Sequence, residues 1–131
     1  CQRRVVVVCD QPSAIADAYG LIKVMASEQN LDEIHLVTNM VGNSQLGRQL
    51  HRRMNDVCMR FLGVNVHHLG SIESDELMLQ AQRKFLSVLE HAPGSAAARD
   101  FRTLAESVSQ LPAIHAASGR VQFFMQRMLR G

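Results

Sequence analysis

Asn39 closes the apolar run Ile34 to Asn39, IHLVTN, and its amide offers a donor and an acceptor side by side, which suits the paired edge of a purine base. A strand-terminal Asn can equally satisfy its own turn, so both readings stand. Asp10 holds the corresponding place after the four valines Val5 to Val8, in Cys9-Asp10-Gln11-Pro12. Its carboxylate could orient a water, a metal ion or a partner's backbone, or simply close a strand before a proline turn. A third polar element, Gly70-Ser71-Ile72-Glu73, follows Val64 to Leu69, and Asp75 and Glu76 stand beyond it. These two acids favour a helix N-terminus through its dipole, at about 0.3 to 1 kcal/mol each.

Three apolar runs must position these groups. Val5 to Val8 reads as a strand buried on both faces, which belongs inside a parallel sheet. Pro12 and Ser13 then start a helix in which Ile15, Ala18, Tyr19, Ile22 and Met25 recur at helical spacing to about Asn30. After the strand IHLVTN, Asn43 or Ser44 caps a long helix with Leu46, Leu50, Met54, Val57, Phe61 and Leu62 as its expected buried stripe. VNVHHL, Val64 to Leu69, is the third strand. Strands alternating with helices of this length predict βαβ units, an α/β fold with a parallel sheet flanked by helices. In such sheets ligands bind beyond the carboxyl ends of the strands, so Asp10, Asn39 and Gly70 are expected on one rim.

Past Gly70 the pattern is helical: Ser74 to Gln82, an apolar stretch Phe85 to Leu89, then a helix capped by Ser95 and running to about Gln110 with Phe101, Leu104, Ala105 and Val108 inward. The predicted organisation is a domain over 1–110, a linker over 111–118, and a cationic amphipathic helix over 119–131. In that last helix Val121, Phe124, Met125, Met128 and Leu129 share a face, and Arg120, Arg127 and Arg130 supply charge without any acid. Such a helix suits an anionic membrane surface or a partner; an ordinary terminal helix packing on its own domain fits the same spacing.

Composition narrows the classes further. The 131 residues are 47% hydrophobic and 20% charged, enough for a real core. A net charge of +2 declares no nucleic-acid partner, and Arg48, Arg52, Arg53 and Arg60, opposed on their helix only by Asp56, read as a solvated face rather than a DNA-binding one. Three cysteines without C-x-x-C spacing predict reduced cytosolic thiols. His67 and His68, neighbours on a strand, point to opposite faces and cannot share an ion. The chain contains neither G-x-x-x-x-G-K-[ST] nor G-x-G-x-x-G. It opens on Cys1 directly before a strand of central character, and is expected to be part of a longer product.

The segment VVVVCDQPSAIADAYGLIK resembles the strand and helix that follow switch II in MinD/ParA-type ATPases; LVTNM resembles their adenine-side strand, and GSIESDELMLQAQRKFLSV their G-x-I-P-x-D-x-x-V-x-x-A segment. Their order and spacing, over about residues 3 to 110 and the tail, make the chain similar to the C-terminal half of that P-loop fold, and in particular to the flagellar-number regulators of the FleN/FlhG type. The resemblance implies that Asn39 contacts adenine, that Gly70, Ile72 and Asp75 lie against the base, and that Asp10 and Pro12 share this rim. It further implies an ATP-dependent switch with ATP or ADP and magnesium in the complete protein. The phosphate loop and both switches would precede Cys1, so neither tight nucleotide binding nor hydrolysis is expected of this chain alone. Partners implied are a second copy, as homodimer or swapped oligomer, and a flagellar assembly or transcription-regulator protein, in the cytoplasm and at the inner face of the plasma membrane. Exposed strand edges would favour the same association. Two departures stand out: Glu73 replaces the usual proline, and Gln11 a glutamate. The competing expectation is a non-enzymatic interaction module that binds a protein or membrane without nucleotide.

Overall fold

A computed structural model describes residues 2–28, 31–111 and 121–123. β1 (Gln2–Cys9), α1 (Pro12–Ala26), β2 (Leu31–Val41), α2 (Ser44–Leu62) and β3 (Val66–Glu73) alternate as the hydrophobic pattern predicts. They are followed by α3 (Glu76–Arg83), α4 (Val88–His91), α5 (Ala96–Ser109) and β4 (Val121–Phe123). The sheet order is β3-β2-β1-β4, and every neighbouring pair is parallel.

Alternation along β1 explains the valine run. Val6 and Val8 point to the face covered by α1 and α2, where they pack with Ile22, Ile34, Leu36, Leu50, Met54 and Cys58. Val5 points to the opposite face and meets Val37 and Ile72, against which Phe101 and Leu104 of α5 pack. A smaller cluster of Ala81, Val88, Ala97 and Ala98 joins α3 and α4 to the start of α5. Both faces of the central strands are therefore apolar because helices cover both.

Helix starts follow local chemistry. Asn43 Oδ1 accepts from the Leu46 amide at 2.8 Å, and Ser95 Oγ from the Ala98 amide at 3.1 Å, as N-caps. Gly63 ends α2 at φ 65°, a left-handed cap that glycine adopts without strain.

Three expectations are corrected. The buried stripe of α2 is Gly47, Leu50, Met54 and Cys58, whereas Leu46, Val57 and Phe61 are exposed; the helix is rotated so that Gly47, not Leu46, meets the sheet. Ala105 of α5 is exposed as well. Val121, placed with its neighbours in a helix, instead begins β4, which pairs with Arg3 to Val5; β-branched and aromatic residues in VQF suit a strand. β4 also supplies β1 with a second neighbour from within the chain. The rest of the predicted linker and amphipathic helix, residues 112–120 and 124–131, lies outside the described residues, and with it Arg120, Phe124, Met125, Arg127, Met128, Leu129 and Arg130.

Candidate functional site

The carboxyl ends of β1, β2 and β3 open on the same side of the sheet because all three run in one direction. Cys9 stands beside Asn39, and Asn39 beside Ile72. The structure thus brings Asp10, Asn39 and the turn after β3 to one border. Pro12 opens α1 on the same border, exposed, as the first helical residue, where its missing N–H costs nothing.

Asn39 sits at a bulge. Met40 has φ 55° and is exposed, and the ladder with β3 skips from Asn39 to Val41. The extra residue lets Val41 turn back into the core while Asn39 stays at the strand end, the kind of re-aiming for which bulges serve. Asn39 is half-buried, and its amide makes no hydrogen bond among the described residues, so its donor and acceptor are both uncommitted.

Asp10 accepts a hydrogen bond at 2.8 Å from Arg53 Nη2 of α2. Both side chains are more than half exposed, so the pair adds little stability, but it orients the carboxylate and gives Arg53 an acidic partner. The tie was hidden from sequence because the partners stand on different elements.

Gly70 and Ile72 lie elsewhere than expected. β3 extends to Glu73, so both are ladder residues: Gly70 pairs with Val37, short of the border, and a Cβ there would lie 3.2 Å from Leu104. Ile72 is 2% exposed, in the core beneath α5. The polar part of this loop begins only at Glu73.

Asp75 is a clamp. One carboxylate oxygen accepts from Leu77 N at 2.9 Å and the other from Ala97 N at 3.0 Å, so one side chain caps α3 and ties in the first turn of α5. These two amide bonds, first the one from Ala97, hold its pKa below the usual carboxylate value. Asp100 adds a second tie, accepting from Glu73 N at 2.8 Å, and Ser74 N donates to Val41 O at 2.8 Å. The turn after β3 is thereby fixed to both β2 and α5.

Beneath the border lies a polar knot that sequence reading missed. Thr38, fully buried, bonds Ser71 Oγ at 2.6 Å, and His68 Nε2 lies 3.2 Å from each hydroxyl. His68 also stacks on His51 of α2, ring centroids 4.8 Å apart, and His51 Nε2 donates to Val66 O at 2.6 Å. Burial, then the neighbouring His51 and Arg48, lower the His68 pKa against a raising contribution from Gly70. A His harder to protonate folded than unfolded makes stability rise with pH and fall on acidification below its unfolded pKa of about 6.5. Urea titrations at pH 7.5 and 5.5 are expected to show lower stability at 5.5, with part of the difference removed by His68→Gln. Below about pH 4 Glu33 and Asp75, both with lowered pKa, add further loss.

His67 faces the other way, its ring 5.3 Å from that of His35, which bonds Glu33 Oε2 at 2.9 Å beside Arg3 at 3.0 Å. Glu33, His35 and His67 line an open cavity of about 370 Å³ bordered by Ser107 and Gln110 near the end of α5. It is remote from the border along β2, and its carboxylate is already engaged. Among the described residues no group of three or more His, Cys, Asp or Glu side chains could hold a metal ion, and no helix is long and apolar enough to cross a membrane.

No family model matches the chain. It is 33% identical over 129 residues to the antiactivator FleN of Pseudomonas aeruginosa, covering 98% of this chain and 46% of FleN. To the flagellum site-determining protein YlxH of Helicobacter pylori it is 34% identical over 90 residues, 68% of this chain and 30% of YlxH. The chain therefore spans about half of one curated relative and a third of the other. The cell-division ATPase MinD of Pyrococcus furiosus superposes with a TM-score of 0.63 at 19% identity, over 84% of this chain and 43% of that one. Parallel sheet, helix placement and this superposition define a partial MinD/ParA-type α/β fold. Within that class the chain is similar to FleN over 98% of its length and to YlxH over 68%.

Proposed function

We propose that this chain supplies the base-side part of an ATP-dependent switch that controls flagellar number or flagellar gene activity. The observation that carries the reading is Asn39: an uncommitted amide at the end of the middle strand of three, flanked in register by Cys9 and Ile72, on a border stiffened by the Asp75 and Asp100 ties. Such an amide can pair with the adenine edge, and the Glu73 to Asp75 turn lies on the same border. ATP or ADP with magnesium would be held mainly by a phosphate loop that these 131 residues do not contain. Dimerisation, a cytoplasmic location, reversible contact with the membrane, and a flagellar assembly or transcription-regulator partner belong to the same proposal. FleN's description as an antiactivator and YlxH's as a flagellum site-determining protein support the flagellar part.

A chimera tests it. This chain would replace the matching segment of Pseudomonas aeruginosa FleN, and flagella per cell would be counted in a strain lacking FleN. The wild-type chimera is expected to restore the normal number and Asn39→Ala to fail, with about 10- to 100-fold weaker ATP binding from the lost pairing. Normal counts and ATP affinity with Asn39→Ala would refute the role given to this side chain.

A further inference from the structure

Only the first part of β1 has strand neighbours on both sides. β2 lies beside it from Gln2 to Cys9, whereas β4 pairs with Arg3, Arg4 and Val5 alone. Among the described residues no strand lies beside Val6 to Cys9 on the β4 side. Successive residues of a strand turn their backbone N–H and C=O groups to opposite sides, so half of these groups point away from β2. Val6 and Val8 are 1% and 2% exposed, so this stretch is core by its side chains and edge by its backbone. An open edge of that kind recruits a strand.

The geometry of β4 says which strand. It runs parallel to β1, with Val121 beside Arg3 and Phe123 beside Val5, so its direction leads along the open edge toward the border that holds Asp10 and Asn39. Phe124, Met125, Gln126 and Arg127 follow directly, with no proline, glycine or acidic residue among them, and no loop has to be closed. The same register carried forward sets Phe124 beside Val6 and Arg127 beside Cys9.

We propose that residues 124–127 lengthen β4 in this register and place Arg127 at the border, where its guanidinium takes a phosphate group of a nucleotide whose base pairs with Asn39. The phosphate contact rests on the nucleotide reading above; the added strand does not. Arg53 at the same border is already paired with Asp10, so a phosphate there needs a further cation. A guanidinium meets phosphate oxygens with two parallel donors, which fixes the ligand as well as attracting it.

Cross-linking and binding on the full chain test both parts. Residues paired in register on neighbouring strands lie about 5 Å apart at Cα, within reach of a disulfide. Arg127→Cys is expected to bond to Cys9 when diamide oxidises the two thiols, the link being located by peptide mapping. Met125→Cys, two positions short of that register, should not bond to Cys9, and Arg127→Cys with Cys9→Ser should give no link at that position. AMP should bind roughly tenfold more tightly than adenosine, and Arg127→Gln should remove the difference without weakening adenosine. No link to Cys9 from Arg127→Cys, or an equal one from Met125→Cys, would overturn the inference. A missing link together with binding to phosphatidylglycerol vesicles that deletion of 124–131 abolishes would assign the segment to lipid instead. The expected link with AMP no tighter than adenosine would overturn the phosphate contact and leave the base-side reading intact. The expected link with neither ligand bound would remove the nucleotide reading and the phosphate contact with it.

Discussion

Ile72→Ala is expected to lower stability by about 3 kcal/mol, a fall of roughly 12 °C in Tm. The side chain lies between Val5, Val37 and the Phe101 and Leu104 side chains of α5, almost without exposure, so truncation leaves a cavity that a parallel sheet and a clamped helix cannot readily close. The resemblance placed Ile72 against a bound base. A base contact on the surface would give the opposite pattern, weaker nucleotide binding with Tm hardly changed. Thermal melts followed by circular dichroism decide between them, and a shift under about 2 °C would remove Ile72 from the core.

Gly47→Ala sets two effects of opposite sign against each other. In an open helix the change would stabilise by about 1 kcal/mol, because alanine is the better helix former. Here α2 approaches the sheet so closely that a Cβ on Gly47 would overlap Ser71 Oγ, and lie 2.7 Å from Thr38 Oγ1 and 2.9 Å from Ser71 Cβ. Overpacking of this kind costs up to about 3 kcal/mol. Collision outweighs propensity, giving a net loss of about 2 kcal/mol. Ser71→Gly removes two of the three obstructing atoms, so the double variant should recover part of the loss in a double-mutant cycle. A Gly47→Ala chain as stable as the wild type would mean that α2 does not rest on the Thr38 and Ser71 hydroxyls.

Legibility followed the range of the interactions. The three strands and the helices between them were readable because hydrophobic periodicity is local, and the Asn43 and Ser95 caps because capping spans only three residues. The rotation of α2 was not: Leu46, Val57 and Phe61 fit an apolar stripe as well as Gly47, Leu50, Met54 and Cys58 do, and only contact with Ser71 selects the glycine face. β4 escaped because its pairing with Arg3 to Val5 joins opposite ends of the chain, while VQFFM also fits helical spacing. At the border, the position of Asn39 near the end of a strand was legible, although β2 runs on to Val41. Its bulge depends on the register with β3, and the Arg53 tie to Asp10 and the Asp100 tie to Glu73 span 43 and 27 residues. No local pattern encodes such pairs. Ile72 was misplaced for the same reason, since nothing before Glu73 signals that β3 continues to it.

The central claim is that Asn39 and the Glu73 to Asp75 turn form one purine-facing border at the carboxyl ends of parallel strands. A titration of the isotope-labelled chain with millimolar adenosine, followed by amide NMR, addresses it most directly. Adenosine avoids any need for a phosphate loop. Saturable shifts are predicted in the Asn39 side-chain amide and the backbone amides of Glu73, Ser74 and Asp75, reduced with guanosine and absent in Asn39→Ala. Shifts confined to the cavity around His35 and His67, or identical responses to adenosine and guanosine, would contradict the account.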